Sequence, residues 1–212
     1  MIALLDLDGT LTDRAAGFAA WARSFAAEWS LGDDDLRWLH RLDRTAGGRE
    51  QFFDALSRRL PHTGTPERLW HDYRVLMPEL TPAFPGVLAH LRTLRASGWR
   101  LVVVTNGRSQ TQVGKLRRTG IADVVHGWCV SEDVGVRKPD PAIFAAALAL
   151  AGGSDRTAAW MVGDDPAADV VGGHAAGLRT HWVSHGLAWP ESEVRPDAVS
   201  ASPAQALAAL AG

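Results

Sequence analysis

Five short, largely apolar runs are spaced along the chain, and each ends at polar or glycine residues. They cover residues 2–5, 101–104, 124–130, 160–162 and 180–183. A short apolar run bounded by turn-forming residues is typical of a strand that is buried on both faces. The pattern therefore predicts five strands of the kind found inside a sheet.

Helical segments lie between these runs. Residues 87–97 carry apolar side chains at helical spacing, residues 109–119 are polar but compatible with a helix, and residues 202–205 have capping-box spacing for a last short helix. Asp140 and Pro141 are residue types preferred at the start of a helix, which we expect to end at Gly152. Alternating strands and helices predict an α/β fold, a Rossmann-like parallel sheet with helices on both faces.

One long stretch, residues 13–81, interrupts this alternation because it holds no convincing strand. Glycine and proline residues divide it into four helical segments, at 14–29, 33–44, 49–60 and 66–80. We therefore predict an all-helical cap domain at residues 13–81, inserted into an α/β core domain made of residues 1–12 and 82–212.

Composition and charge are those of an ordinary globular protein. The chain has 212 residues, 46% of them hydrophobic, a formal net charge of -2 and one cysteine. No basic cluster indicates nucleic acid or a membrane as a partner, and no apolar run approaches the roughly 20 residues of a membrane helix. Because the first apolar run is too short for a signal peptide, we expect a cytoplasmic protein, with a monomer or weak homodimer as the default.

Polar residues follow the predicted strands at the carboxyl edge of the sheet, where open α/β sheets bind their ligands. Asp6 and Asp8 come directly after the first strand, and Thr105, Asn106 and Gly107 follow the second. Two carboxylates so close to a buried strand end repel each other, and a cation between them would relieve that repulsion. A hydroxyl, an amide and free backbone N–H groups suit an anionic oxygen.

Two further polar sites follow the third and fourth strands. Lys138 stands beside a proline just before a predicted helix, where a lysine can act as a point charge for phosphate. Asp164, Asp165 and Asp169 place three carboxylates within a short segment, a pattern that favours a hard cation bound by oxygen. Taken singly, each site also fits a surface loop or a helix cap. Their convergence on one edge of the sheet is what favours a functional site.

The four sites, in this order and at this spacing, resemble the motifs of the haloacid dehalogenase-like hydrolase superfamily. The matching residues are Asp6-Leu7-Asp8-Gly9-Thr10-Leu11, Thr105, Lys138, and Gly163-Asp164-Asp165 with Asp169. The resemblance covers the whole predicted core. Residues 13–81 stand where the C1-type cap of that superfamily stands.

The resemblance implies a role for each matching residue in a magnesium-dependent phosphatase. Asp6 would attack phosphorus and form an aspartyl-phosphate, and Asp8 would protonate the leaving oxygen and later activate water. Thr105 would bind the phosphoryl group, and Lys138 would steady the charge that this group shares with Asp6. The Asp6 carboxylate, the Asp8 carbonyl oxygen and Asp164 would hold Mg²⁺.

The same resemblance gives less definite roles to four other residues. Asp165 and Asp169 would act near the metal, through water or by orienting Lys138, and both are candidate metal ligands. Asn106 and Gly107 are candidate substrate-binding residues beside Thr105.

Asp8 and the absence of lysine from residues 13–81 indicate which branch of the superfamily the chain resembles. Dehalogenase-type members lack an acid at the position of Asp8, and phosphonatases use a cap lysine, which residues 13–81 do not contain. Thr105-Asn106-Gly107 together with residues 131–139 look like the equivalent stretch of nucleotide 5′-phosphatases and N-acylneuraminate-9-phosphatases. Phosphatases dominate this branch of the superfamily, so the resemblance implies hydrolysis of a small phosphorylated metabolite. A phosphomutase of the β-phosphoglucomutase type shares the four motifs and remains an alternative, as does a non-catalytic binding protein on this fold.

The predicted cap supplies further candidates. Arg49 follows a glycine turn and would either contact the substrate or be an exposed arginine at a helix start. Tryptophans 21, 29, 38 and 70 could stack a nucleobase, but packing in a small cap core explains them more simply. In the core domain, His181 and His185 lack a metal-ligand pattern and are given no role.

Overall fold

The computed structural model describes residues 1–153, 158–190 and 194–211. Among these residues, six parallel strands form one sheet in the order β3-β2-β1-β4-β5-β6. The strands are β1 (Ile2–Leu5), β2 (Arg100–Thr105), β3 (Gly127–Val130), β4 (Ala159–Gly163), β5 (Arg179–Val183) and β6 (Ala198–Ser200). The predicted α/β class with a Rossmann-like parallel sheet is confirmed.

Helices make up most of the rest of the described chain. They are α1 (Arg14–Glu28), α2 (Asp33–Thr45), α3 (Arg49–Arg59), α4 (Pro66–Leu80), α5 (Val87–Ala96), α6 (Ser109–Arg118), α7 (Ser131–Val134), α8 (Pro141–Leu150), α9 (Gly172–Ala175) and α10 (Pro203–Ala211). Short 3-10 turns occupy Pro61–Thr63 and Ile121–Asp123, and a π-helical turn occupies Pro166–Val171. Within the described ranges, no helix is long and apolar enough to cross a membrane.

The chain divides into two compact units. Residues 1–13 together with 82–212 make an α/β unit, and residues 14–81 make a helical unit. The α/β unit holds the whole sheet, and the helical unit is built from α1 to α4.

Both faces of the central strand β1 are covered. On one face, Ala3 and Leu5 join a buried cluster with residues of α5 and α10, and on the other, Ile2 and Leu4 join a cluster with residues of α8. Successive side chains of a strand point to opposite faces, so a strand covered on both sides must be apolar at every position. This is why the first run of the sequence is recognisable as a strand.

The order of the strands places a crevice beside β1. Within the sheet, β2 is the neighbour of β1 on one side and β4 is its neighbour on the other, and the chain passes from β1 to β2. The loops that leave the carboxyl ends of β1 and β4 therefore diverge, and open α/β sheets bind ligands at such a switch point. The polar segments that follow β1, β2 and β4 meet at this edge.

Two strands differ from the sequence-based expectation. β3 begins at Gly127, three residues after its predicted start, because the preceding 3-10 turn occupies the N–H groups of Val124 and Val125, which donate to the Ile121 carbonyl oxygen. β6 was not predicted, since it has only three residues and Val199 is 56% exposed, which leaves no apolar run to recognise.

An aromatic core holds the helical unit together. The ring of Trp21 in α1 lies 6.0 Å from that of Phe52 in α3 and 5.1 Å from that of Tyr73 in α4, measured between centroids. The other three tryptophans of this unit, at positions 29, 38 and 70, are partly buried against the same cluster. Aromatic rings bury large areas and stabilise each other in tilted and edge-to-face pairs, so core packing accounts for these residues.

The start of α8 offers a test of local helix capping. Asp140 Oδ1 accepts a hydrogen bond from Ala142 N at 2.9 Å, and Pro141 occupies the first helical position. Asp140→Ala removes the acceptor, and we expect the free energy of unfolding to fall by about 1 kcal/mol. Asp140→Asn keeps an acceptor and should remain close to wild type. Urea unfolding followed by circular dichroism measures both, and equal losses in the two variants would contradict the capping role.

Candidate active site

Asp6 follows β1 directly and extends its pairing with β4. Its N–H donates to the Val162 carbonyl oxygen at 2.9 Å, and the residue is 7% exposed. The chain then turns back, so that the N–H groups of Leu11 and Thr12 both donate to the Leu7 carbonyl oxygen at 2.8 Å. The tight turn leaves the Asp6 side chain at the carboxyl edge of the sheet.

Gly9 lets the loop after β1 approach the loop after β4. Its φ is +93°, a left-handed conformation that other residues rarely adopt, and a Cβ atom there would lie 2.2 Å from Asp164 Oδ2. The Thr10 hydroxyl donates to Asp164 Oδ1 at 3.2 Å. A glycine at this position is therefore required for the Asp164 carboxylate to lie where it does.

Lys138 links two of the aspartates. Its Nζ donates to Asp6 Oδ1 and to Asp169 Oδ1, both at 2.6 Å, and its side chain is 2% exposed. Asn106 fixes the main chain of Lys138, because its Oδ1 accepts from Lys138 N at 2.8 Å and its Nδ2 donates to Lys138 O at 2.9 Å. The structure thus brings Lys138 to the first and fourth motifs, and it ties the Asn106 side chain to the lysine.

Three carboxylates lie together at this edge. One oxygen each of Asp6, Asp164 and Asp169 lies within 4.8 Å of the others. Burial, followed by repulsion from Asp6 and Asp169, raises the pKa of Asp164 to about 8. Burial raises the pKa of Asp169 to about 7 despite the Lys138 ammonium, and burial also raises the pKa of Asp6. One ammonium group therefore balances only part of the charge that three ionised carboxylates would carry.

These carboxylates fit a small divalent cation. Mg²⁺ prefers oxygen ligands and is commonly held by one or two carboxylates while it keeps several waters. A bound cation also favours the ionised form of a carboxylate, which is the form that burial and mutual repulsion oppose here. Asp6 and Asp164 are the ligands that this arrangement favours, since both Asp169 oxygens accept protein hydrogen bonds, from Lys138 Nζ and from Asp165 N.

Two other predicted metal ligands have different surroundings. Asp165 Oδ1 accepts from Ala167 N and Ala168 N, both at 2.9 Å, so this side chain caps the π-helical turn. The side chain of Asp8 pairs with Lys115. Neither carboxylate belongs to the three-residue cluster found in the described part of the chain. A metal contact through the Asp8 carbonyl oxygen, or through water at Asp165, stays a prediction.

Asp8 belongs to a network that sequence reasoning missed. Lys115 Nζ donates to both of its carboxylate oxygens, at 2.8 Å to Oδ1 and 2.6 Å to Oδ2. Gln112 Nε2 donates to Oδ2 at 3.2 Å, and the Thr12 hydroxyl donates to Oδ1 at 3.0 Å. Burial opposes ionisation of Asp8, but the Lys115 charge and these hydrogen bonds outweigh it and hold the pKa of Asp8 below its ordinary value.

Gln112 and Lys115 connect the second motif to Asp8. Both lie on α6, three residues apart, and therefore on one face of the helix. Gln112 Nε2 also donates to Thr105 Oγ1 at 2.6 Å, and Thr105 is 1% exposed. The signal that could have found them is their spacing on the helix that follows Thr105, although nothing in the sequence marks that face as buried.

Gly107 and Arg49 have partners within the protein. Gly107 N donates to Ser131 Oγ at 3.0 Å. Arg49 lies in the helical unit, where it forms an ion pair with Asp43 at 2.8 Å and its guanidinium lies 5.2 Å from the centroid of the Tyr73 ring. Substrate binding by either residue stays a prediction.

Comparison with known proteins decides the family. A family model for haloacid dehalogenase-like hydrolases matches residues 1–177. The chain belongs to the haloacid dehalogenase-like hydrolases. This membership agrees with the order and spacing of the four motifs, whose side chains the fold brings to one edge of the sheet.

Two relatives and one solved structure illustrate the range of this family. Pyrimidine 5′-nucleotidase YjjG of Escherichia coli (strain K12) is 38% identical over 119 residues, which are 56% of this chain and 52% of the relative. Phosphoserine phosphatase of Thermus thermophilus is 40% identical over 136 residues, 63% of this chain and 54% of the relative. The matches thus span about half the length of these two relatives. The HAD-hydrolase YfnB of Bacillus subtilis, solved bound to magnesium, shares the fold with a TM-score of 0.85 at 24% identity, over 100% of this chain and 98% of that one.

In this haloacid dehalogenase-like hydrolase, two aromatic residues, one in β5 and one just after it, hold the loops that follow β4 and β1 at the carboxyl edge of the sheet. Trp182 Nε1 donates to the Asp164 carbonyl oxygen at 2.9 Å. His185 Nε2 lies 2.7 Å from the Gly9 carbonyl oxygen, and since a carbonyl only accepts, this nitrogen carries the proton. No role is predicted for His185 from the sequence, although its place just after the fifth predicted strand is a signal that could have indicated one.

The raised pKa values make metal affinity depend on pH. Mg²⁺ binds ionised carboxylates, and in the metal-free protein Asp164, with a pKa of about 8, and Asp169, with a pKa of about 7, are mostly protonated at pH 6. We therefore expect the Mg²⁺ affinity to rise by about tenfold or more between pH 6 and pH 8.5, with proton release on binding near pH 7. Calorimetric titration in two buffers of different ionisation enthalpy measures both. A constant affinity without proton release would contradict the raised pKa values.

Proposed function

We propose that this protein is a magnesium-dependent phosphatase that hydrolyses a small phosphorylated metabolite through an aspartyl-phosphate on Asp6. The observation that carries this proposal is the setting of the Asp6 carboxylate, which is bonded to the Lys138 ammonium and lies beside Asp164. An anionic nucleophile can approach an anionic phosphate only where positive charge reduces the repulsion, and phosphoryl transfer depends mainly on positioning and charge stabilisation.

The first half of the reaction transfers the phosphoryl group to Asp6. A carboxylate oxygen of Asp6 forms a bond to phosphorus as the ester P–O bond breaks. Asp8, whose lowered pKa keeps it ionised in the free protein, takes up a proton from solvent when substrate binds and passes it to the leaving oxygen. Lys138 stays bonded to Asp6 and stabilises the charge that the carboxylate shares with the phosphoryl group. We expect Thr105, at the end of β2, to bind the phosphoryl group through its hydroxyl proton, since its oxygen accepts from Gln112 Nε2.

The second half returns the enzyme to its starting state. Asp8 accepts a proton from water, the water oxygen bonds to phosphorus, and the bond between phosphorus and Asp6 breaks to release inorganic phosphate. Asp6 and Asp164 would hold Mg²⁺, which when bound would supply positive charge to the phosphoryl group. Asp8 thus acts as acid and then as base, and these two roles require its carboxylate to be accurately placed.

Asp8 and the relatives together favour phosphate hydrolysis over the other reactions of the family. Halide leaves without a proton, so a dehalogenase has no need of the acid that Asp8 provides. The names of the two relatives, a pyrimidine 5′-nucleotidase and a phosphoserine phosphatase, support hydrolysis of a small phosphate monoester. Selection of the substrate by the helical unit, with Arg49 as the candidate contact, stays part of the proposal, as do the cytoplasmic location and the monomeric or weakly dimeric state.

Replacement of the nucleophile tests the mechanism. Asp6→Asn removes the anionic oxygen but keeps the shape of the side chain, and we expect the fold to be retained and turnover to fall below about one-thousandth of the wild-type rate. The wild-type protein should yield an acid-stable phosphoenzyme that hydroxylamine cleaves, and Asp6→Asn should yield none. The matched control, Asp33→Asn, changes an exposed aspartate at the start of α2 and should remain active. Near-full activity of Asp6→Asn would contradict the mechanism.

A substrate panel tests the reaction class. We expect phosphate release from nucleoside monophosphates, sugar phosphates, phosphoserine, phosphoglycolate or N-acylneuraminate 9-phosphate, with loss of activity in EDTA and recovery with Mg²⁺. Full activity in the chelator would contradict the metal assignment. Isomerisation of a sugar phosphate without release of phosphate would instead indicate a phosphomutase.

A further inference from the structure

The two lysines of the chain are both buried at the candidate active site, and each binds a different aspartate of the first motif. The sequence holds 20 arginines and two lysines, and Lys115 and Lys138 are 3% and 4% exposed. Each donates to one of the two aspartates that follow β1, Lys138 to Asp6 and Lys115 to Asp8. The other permanently charged basic side chains of the chain are arginines. An ammonium is a compact charge with three donors on one atom, so the two lysines differ from these arginines in geometry as well as in burial.

The Lys115 ammonium has a partner for each of its three hydrogens. Its acceptors are Asp8 Oδ1 at 2.8 Å, Asp8 Oδ2 at 2.6 Å and Gln112 Oε1 at 3.0 Å. An ammonium can direct three donors around one atom, whereas a guanidinium presents a wider, planar set of donors. The geometry therefore matches lysine at position 115 and would not be reproduced by arginine.

The same contacts occupy the acceptor sites of Asp8. An ionised carboxylate has about four such sites. Lys115 fills two of them and Gln112 a third. The fourth is filled in part by the Thr12 hydroxyl, whose single proton is shared between Asp8 Oδ1 at 3.0 Å and the Leu7 carbonyl oxygen at 3.1 Å. The Asp8 side chain is 22% exposed, so a substrate or water oxygen can approach the carboxylate, where it competes with these hydrogen bonds for the acceptor sites. Lys115 can release one oxygen and keep the other, because it alone of these partners contacts both.

We propose that Lys115 is a positioning residue for the reaction, which holds the Asp8 carboxylate by one oxygen while the other exchanges a proton with the leaving group or with water. The inference rests on the proposed phosphatase function, and it adds to that function a residue from outside the four sequence motifs. Gln112 supports the arrangement, because it binds Lys115, Asp8 and Thr105 at once.

Lys115→Met tests the proposal by steady-state kinetics. Methionine keeps much of the side-chain volume and removes the ammonium. With an alkyl phosphate substrate, we expect kcat to fall by about tenfold or more and KM to change by less than about twofold, since the groups that bind phosphate remain in place. Arg117→Met removes an exposed cation from the same helix and should leave both constants unchanged.

A substrate whose leaving group needs no proton separates the two steps. With p-nitrophenyl phosphate, we expect Lys115→Met to form the phosphoenzyme but to hydrolyse it slowly, because activation of water still depends on Asp8. The fraction of enzyme trapped as aspartyl-phosphate by acid quench should therefore rise several-fold over wild type. A purely structural role for Lys115 would lower the rate with both substrates without this accumulation.

Lysine-selective isotope labelling gives a readout that does not depend on turnover. Because the chain has two lysines, protein labelled with ¹⁵N at lysine Nζ gives two side-chain resonances, and Lys115→Met assigns them. We expect Asp8→Asn to shift the Lys115 resonance and to leave that of Lys138 nearly unchanged. A Lys115 resonance that does not respond to Asp8→Asn would overturn the proposal.

These outcomes separate the positioning role from the proposed function. If the wild-type protein hydrolyses no phosphate ester, the function fails, and the resonances still report on the Lys115–Asp8 pair. If the wild type is active and folded Lys115→Met keeps or exceeds its kcat, the positioning role is wrong and the function stands. If Lys115→Met does not fold, Lys115→Gln, which keeps a donor without the charge, is used with the same expected fall in kcat.

Discussion

The balance between clustered carboxylates and two buried ammonium groups is the interaction on which this site depends. Asp6 and Asp169 share the Lys138 ammonium at 2.6 Å each. Removing one partner from a buried pair typically costs about 3–5 kcal/mol, since it leaves a charge without compensation. Asp164 has no such cation partner among its described contacts, and its pKa is raised to about 8. The negative charge of these carboxylates that Lys138 does not balance makes this edge of the sheet suitable for a divalent cation.

The two aspartates of the first motif experience opposite environments although they are two residues apart. Burial raises the pKa of Asp6, whereas Lys115 and its neighbouring donors outweigh burial and lower the pKa of Asp8. Here the difference comes from the number of donors around each carboxylate, which is set by the loops and by α6. The proposed roles need the reverse at the start of the reaction, an ionised Asp6 and a protonated Asp8, so a bound cation and substrate would have to change both environments.

The sheet topology supplies the precision that such chemistry requires. β1 lies between β2 and β4, so the loops that leave these three strands meet at one edge. Side chains then fix the main chain of these loops: Asn106 binds both main-chain groups of Lys138, Trp182 binds the Asp164 carbonyl oxygen, and His185 binds the Gly9 carbonyl oxygen. Donors and charges held in place before substrate binds need no reorganisation during the reaction.

Most of the elements and the four motifs could be predicted from the sequence, because they leave short-range signals. Buried parallel strands are apolar at every position, glycine and proline separate the helices, and the cap at Asp140 is a local hydrogen bond. The carboxylates of Asp6, Asp164 and Asp169 could be expected to meet because parallel strands end at the same edge. Short or exposed elements such as β6 carry no comparable signal.

The partners of the polar groups could not be predicted, because they depend on long-range packing. Lys115 and Asp8 are 107 positions apart in sequence, and the segment that carries Lys115 reads as an ordinary polar helix. Nothing local indicates that this lysine is buried, since burial of a charge depends on a counter-charge supplied by a distant loop. The same holds for the Asn106 side chain, which binds the main chain of Lys138. Local patterns fix where strands and helices form, and long-range packing fixes which charges meet.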